Sequence, residues 1–387
     1  MTVDQRVWTQ ASGWSTPATP LSRDASMVLL FGSTAALQSP ELIASLTVDY
    51  PQALFFGSST AGEIAGTRVL DHSLIATALS FSHTAVRSAL VPLSECPNSR
   101  QAGESLARQL PPSWELPGSP APLTHVLVLS DGLQVNGSEL VNGITQALPK
   151  GVTLTGGLAG DGDAFRTTVV LCGAHAQSGV VAAVGFYGNR LRVGFASQGG
   201  WDPFGPERLI TRSAGNVLRE LDGMSALALY KQYLGEHSKA LPSTGLLFPL
   251  SIREPDSDAA PVVRTILAID ENDQSMTFAG DVPEGSYARL MKANFERLID
   301  GAVGAARTSQ AAIGAASPEF ALLISCVGRR LVLRQRVEDE VEGVRDIFGS
   351  RCPLAGFYSY GEISPFAPGA RCELHNQTMT ITTFQEI

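Results

Sequence analysis

The chain has few of the residues that most often announce chemistry. Its five cysteines, Cys96, Cys172, Cys326, Cys352 and Cys372, are scattered, odd in number and never form a C-x-x-C pair. That pattern excludes a disulfide framework and a cysteine zinc site. Six histidines are dispersed over 387 residues, with no H-E-x-x-H and no C-x-x-C-H. Neither a helix-borne zinc pair nor a covalently attached haem is encoded. Charged residues make up only 17%, the net charge is -9, and no Lys/Arg-rich stripe occurs. A phosphate backbone needs a basic face, so nucleic acid is not an expected partner. No apolar run approaches the ~20 residues that span a bilayer. The opening MTVDQRVWTQASGWSTPATPLSRD has no hydrophobic signal core. The expectation is a cytoplasmic protein that engages no membrane.

Catalytic signatures are missing too. FGSSTAG falls short of the G-x-S-x-G nucleophile elbow, because its second Gly comes one place late. A hydrolase using Ser59 would rest on that near miss alone. GGLAGDGD has the spacing of neither phosphate-binding glycine loop. Asp161 and Asp163 form a D-x-D pair that nothing completes into a calcium loop, and Asp270, Asn272 and Gln274 fail likewise. The expectation is a protein that is not an enzyme.

What the chain does have is apolar material, 44% of its residues, enough for a large core. Its length fits two or three domains. Residues 1–25, rich in Ser, Thr and Pro, read as a mobile lead-in. A unit follows: a strand at MVLLFG, a helix opened by Ser39-Pro40-Glu41 and stopped by Pro51, a strand at ALFFGSS, the turn AGEI, and a return strand at DHSLIATALSF. The order recurs as HVLVLSDG, a helix bearing Leu140, Val141, Ile144 and Leu148, then VTLTGGLAGDGD, with TTVVLCG as the return strand. It recurs again as FALLISCVG, a helical stripe of Val337, Val341, Val344 and Phe348, then PLAGFYSYGEI and HNQTMTITTF. The chain is internally repeated. Between the units, NVLRELDGMSALALYKQYLG reads as helix, and residues 262–282 as a hairpin turning at Asp270 to Gln274. A long helix is expected from about Ser286, with Leu290, Met291, Phe295 and Leu298 inward. The predicted fold is mixed α/β (α+β), with repeated strand–helix–strand–turn–strand units in mixed sheets covered by helices, in two modules.

Several segments together resemble one family: FGSSTAGEI, TGGLAGDGDAF, GGWDPFG with LDGMSALALY, AGDVPEG, and AGFYSYGEISP with LHNQTMT. In this order, and spread over nearly the whole chain, they are similar to a FIST protein. The resemblance implies a module at 26–222, a second at 223–387, and an intracellular small-ligand sensor. It is similar also to stand-alone bacterial haem-containing proteins that sense nitric oxide and act on a separate histidine kinase, and so on biofilm behaviour. Haem b would then be the cofactor and a gas the ligand, with a homo-oligomer as one further possibility.

The repeated corners supply one set of candidate ligand-binding residues: Gly57, Gly62, Glu63, Gly160, Asp161, Gly361 and Glu362. Glycines there let main-chain N–H groups approach a ligand, and the second can take positive φ. The acids then receive an amine or orient a loop. Equally, strand-end turns favour Gly, and the acids cap the next segment. For a haem iron the first candidate ligand is His375, which follows the YGE turn, and the second is His72, which follows AGE. A hydrogen-bonded structural histidine is the ordinary alternative. Tyr358 and Tyr360 share one face of a strand and either line a pocket or close a core. Arg264 lies within an apolar strand pattern, where it needs an anionic partner: a ligand carboxylate, a propionate or a nearby acid. That residue also fits a binding module for a small polar metabolite such as an amino acid.

Overall fold

A computed structural model describes residues 1–16, 23–116, 119–241, 243–255, 261–314 and 317–387. Three units of one design carry it. The first contains the strands Met27–Gly32, Leu54–Ser59 and Ser73–Ser80 with the helix Pro40–Asp49. The second contains Ser119–Ser130, Thr153–Leu158 and Val180–Tyr187 with the helix Gly137–Ala147. The third contains Phe320–Cys326, Leu354–Ser359 and Met379–Glu386 with the helix Val337–Phe348. In each, the first two strands are parallel and the last returns antiparallel to the first. Met27–Gly32 and Phe320–Cys326 are buried along their whole length and almost wholly apolar, as strands covered on both faces are. The helices begin where local chemistry allows. Ser39 and Asn136 cap two of them with side-chain oxygens. The third has no side-chain cap but carries Glu338, Asp339 and Glu340 in its first turn, against the positive end of the helix dipole.

The glycine of each second strand is fixed by its parallel neighbour. A Cβ on Gly57 would fall 1.8 Å from the Leu30 carbonyl oxygen, one on Gly156 1.9 Å from that of Val128, and one on Gly356 1.8 Å from that of Leu323. These are the register partners across each parallel pair. The repeated glycine is therefore a packing requirement between strands.

After each corner the chain leaves its own unit. Glu63–Ala65 pairs with Leu354–Ser359 of the third unit. Gly361–Pro365 pairs with Thr153–Leu158 of the second. Val170–Cys172 pairs with Leu54–Ser59 of the first. The exchange closes on itself, so the three units interlock although the second ends at Tyr187 and the third begins only at Phe320. Residues 201–293 instead build a separate antiparallel sheet with its own core and the helix Ala226–Leu234. The helix Phe295–Ile313 then leads back to the third unit.

Four expectations need correction. Thr2–Thr9 is a strand paired along its whole length with Ser73–Ser80, because the edge of the first sheet offers unpaired main-chain groups to a polar segment. Residues 17–22 of that lead-in lie outside the described residues. TTVVLCG contains the exchanged strand of the second unit, and the return strand is Val180–Tyr187. Val217–Leu221 is a strand, and the helix of that segment begins only at Ala226. Tyr287–Ala293 is also a strand, held between Trp201–Ala214 and Leu250–Arg253, so the long helix starts at Phe295. In both cases sheet neighbours overrode a helix-compatible pattern.

Candidate functional site

The three corners meet and are joined by main-chain hydrogen bonds. Ala61 N donates to Tyr358 O and Tyr358 N to Gly62 O, both at 2.8 Å, while Gly160 N donates to Ser59 O at 2.9 Å. A Cβ on Gly160 would meet Ala61 N at 2.9 Å. Of the corner glycines, Gly62 takes positive φ, at 132°. Gly361 instead is hemmed in by the side chains of Leu158 and Leu374.

The acids bind the corners to the strands that follow. Glu63 accepts from Thr60 Oγ1 at 2.5 Å on one oxygen, and from Ser73 N at 3.1 Å and Ser73 Oγ at 2.7 Å on the other. Glu362 repeats this with Ser359 Oγ at 2.6 Å, Thr378 N at 3.2 Å and Thr378 Oγ1 at 3.0 Å. Ser73 opens the first unit's return strand and Thr378 precedes the third's. Both carboxyls are buried. Burial outweighs these donors and raises Glu63 to about 7 and Glu362 to about 8. Asp161 is used differently. It accepts from the main-chain N–H groups of Arg166 at 2.8 Å and Thr167 at 2.7 Å, and from the Tyr360 hydroxyl.

The tyrosines close the core. Tyr358 is fully buried and donates to Glu340 Oε1 at 2.7 Å. Glu340 is paired with Arg329 at 2.7 Å, both wholly buried. Tyr360 stacks on Phe165, ring centroids 4.3 Å apart. His72 is exposed in a turn at φ 53°. His375 is buried, with Nε2 2.7 Å from the Ser364 carbonyl and its ring 4.1 Å from that of Phe366. Among the described residues its Nδ1, also buried, has no hydrogen-bond partner. Burial lowers its pKa to about 4, which keeps the ring neutral. Ser59 is buried, and its Oγ accepts from Val169 N at 2.9 Å.

Arg264 leads elsewhere. It is 5% exposed and lines a cavity of about 340 Å³ at the junction of the interlocked units and the separate sheet. That volume is at the small end of ligand sites. Ser138, Val141 and Asn142 on the helix Gly137–Ala147 form one wall. Ile252, Glu254, Val262, Asp281 and Pro283 form a second, and Arg371 to Leu374 a third. The Arg264 guanidinium donates to Asp281 O at 3.0 Å, Leu374 O at 2.8 Å and Ser138 Oγ at 3.4 Å. All three acceptors are uncharged. Among the described residues no carboxylate closes an ion pair with it, although Glu373 and Asp281 are near enough to act on its charge. Burial lowers its pKa. Gly280 makes room for this packing, since a Cβ there would lie 2.7 Å from Ser138 Oγ and 3.0 Å from Arg264 Nε. Asn136 Nδ2 donates to Asp281 Oδ1 at 2.8 Å, tying the helix N-terminus to the AGDVPEG turn.

The cavity thus gathers Arg264 from the sequence candidates and leaves the corner residues, both tyrosines and both histidines out of its lining. Sequence reasoning missed Ser138, Glu254, Asp281, Arg371 and Glu373. The only signal for any of them was AGDVPEG, which supplies Gly280, Asp281 and Pro283.

Among the described residues no group of three or more His, Cys, Asp or Glu side chains is arranged to hold a metal ion. No helix among them is long and apolar enough to cross a membrane. An uncharacterized protein of Mycobacterium bovis and one of Mycobacterium tuberculosis are each 29% identical over 252 residues, 62% of this chain. The chain spans about 60% of the length of these curated relatives. The FIST N domain matches residues 26–224 and the FIST C domain residues 226–365. The chain therefore belongs to the FIST family, whose domains are in general signal-transduction sensors that bind small ligands.

Proposed function

We propose that the chain senses a small polar metabolite with both an anionic and a cationic group, such as an amino acid, bound in the junction cavity. One observation carries this reading. A buried guanidinium facing a cavity, satisfied by carbonyl and hydroxyl oxygens with no paired carboxylate among the described residues, is a costly arrangement that an anionic ligand stabilises. Glu254, Asp281 and Glu373 line the same space and offer acceptors for an ammonium group. The ligand would touch both the helix Gly137–Ala147 and the separate sheet, so occupancy would stiffen the junction. That change would be the signal passed to a partner, as differential contacts shift a two-state equilibrium. Calorimetry with the twenty amino acids tests the reading. Binding is expected for one or a few of them, and Arg264→Gln is expected to weaken it at least tenfold while still melting cooperatively. Equal affinity in Arg264→Gln overturns the role given to the guanidinium.

A haem-based nitric oxide sensor acting on a separate histidine kinase is the second reading, and one atom favours it. His375 Nδ1 is a buried ring nitrogen without a hydrogen-bond partner among the described residues, and its tautomer is set by the Nε2 hydrogen bond to Ser364, as in many metal-bound histidines. The surrounding residues do not fit a haem. Phe366 lies against the ring, and no histidine lines the cavity. Cys372 does line it, but burial pushes that thiol up and it donates to Leu154 O. Absorption spectra after haemin addition and gel filtration decide the matter. A Soret band that disappears in His375→Ala would install this reading in place of the first.

A further inference from the structure

We propose, resting on the junction cavity as the ligand site, that its ligand is a short peptide with free termini, held extended between two sheet edges. The strands Val262–Arg264 and Cys372–His375 are the outer strands of two different sheets, and both line the cavity. An outer strand presents a row of unpaired main-chain N–H and C=O groups. The two edges are joined at one end, where Arg264 Nη1 donates to Leu374 O at 2.8 Å and Thr265 N donates to the Asn376 side chain at 3.3 Å. The Leu374 carbonyl points out of its own ladder toward Arg264. In an antiparallel ladder, residues two apart send their main-chain groups the same way. The N–H and C=O of Cys372 therefore face the opening, where a third strand adds most readily.

The spacing of charge selects length. Leu250 is in register with Arg264 and Ile252 with Val262, and Glu254 follows just past the strand end at Arg253, four residues along the chain from Leu250. At about 3.3 Å per residue this is about 13 Å. A free amino acid carries its ammonium and carboxylate on one Cα, within about 2.5 Å of each other. An extended chain of two or three residues separates its termini by about 7–10 Å. The Arg264 and Glu254 side chains cover the remainder. Between the charged ends the walls are Val141, Ile252, Val262 and Leu374, apolar surfaces for alternating side chains. Asp281 and Glu373 beside Arg264 offset part of its charge and disfavour a second carboxylate there.

Isothermal titration of the full chain with tri-alanine, tri-valine, tri-alanine amide and L-alanine tests this. A tripeptide is expected to bind at least tenfold more tightly than L-alanine, and the amide at least tenfold more weakly than the free acid. Glu254 is exposed, so Glu254→Gln is expected to fold and to weaken tri-alanine several-fold, yet to leave N-acetyl-tri-alanine unchanged. If a single amino acid binds as tightly as either tripeptide, the peptide inference falls and the cavity reading stands. If neither tripeptides nor any of the twenty amino acids gives heat, both fall.

Discussion

Replacing Glu362 by glutamine separates two forces that oppose each other at one buried carboxyl. Three donors, Ser359 Oγ, Thr378 N and Thr378 Oγ1, favour the carboxylate, while complete burial favours the acid and prevails, raising the group from 4.5 to about 8. The sign of the pH effect follows. Between pH 4.5 and 8 the unfolded chain releases a proton that the folded chain keeps. The folded state then binds more protons, and stability falls as pH rises through that window. At about 1.4 kcal/mol per unit, the shift corresponds to about 5 kcal/mol, of which about 3.5 accrues between pH 5 and pH 8. A glutamine amide in its place does not titrate and preserves the size of the side chain. Urea unfolding of the wild type and of Glu362→Gln at pH 5 and pH 8 measures the difference. The variant is expected to gain about 3.5 kcal/mol relative to the wild type on going from pH 5 to pH 8. An identical difference at both pH values would refute the reasoning, because it would mean that the donors hold an ionised carboxylate despite its burial.

Glu63→Gln is expected to show the same trend over a narrower window, from 4.5 to about 7, in the same assay. Glu340→Ala leaves Arg329 charged and buried, and is expected to cost about 3–5 kcal/mol in urea unfolding. Tyr358→Phe removes one donor to that carboxylate and is expected to cost less, about 1.5–3 kcal/mol. Gly356→Ala, with its Cβ 1.8 Å from the Leu323 carbonyl, is expected to abolish soluble expression, and Gly57→Ala to do the same in the first unit. Gly280→Ala pushes against Ser138 Oγ and Arg264 Nε, and is expected to lower both the melting temperature and ligand affinity, read by calorimetry.

Much of the fold was legible because it rests on local rules. Buried strands such as MVLLFG and FALLISC are continuous apolar runs, and Ser39-Pro40 marks a helix start by capping chemistry. The repeat was visible because each unit solves the same close approach with a glycine and ties its corner with an acid. The expectations that failed concerned non-local pairings. Tyr287–Ala293 and Val217–Leu221 became strands only because neighbours lay beside them. Thr2–Thr9 looked like a polar lead-in until a sheet edge was available to pair it. The purpose of the corner acids was illegible for the same reason: whether Glu362 faces a ligand or Thr378 depends on where residue 378 lies.

By itself the sequence determined three copies of one strand–helix design, their glycine corners and membership of the FIST family, since these follow from patterns a few residues long. Only the tertiary structure decided that the corners are tied to one another by main-chain hydrogen bonds and that a cavity lies where helix Gly137–Ala147, strand Val262–Arg264 and strand Cys372–His375 converge. The physical reason is separation along the chain. Ser138, Arg264 and Leu374 are joined by hydrogen bonds that span more than a hundred positions, and no local pattern encodes which distant carbonyl a buried guanidinium will find.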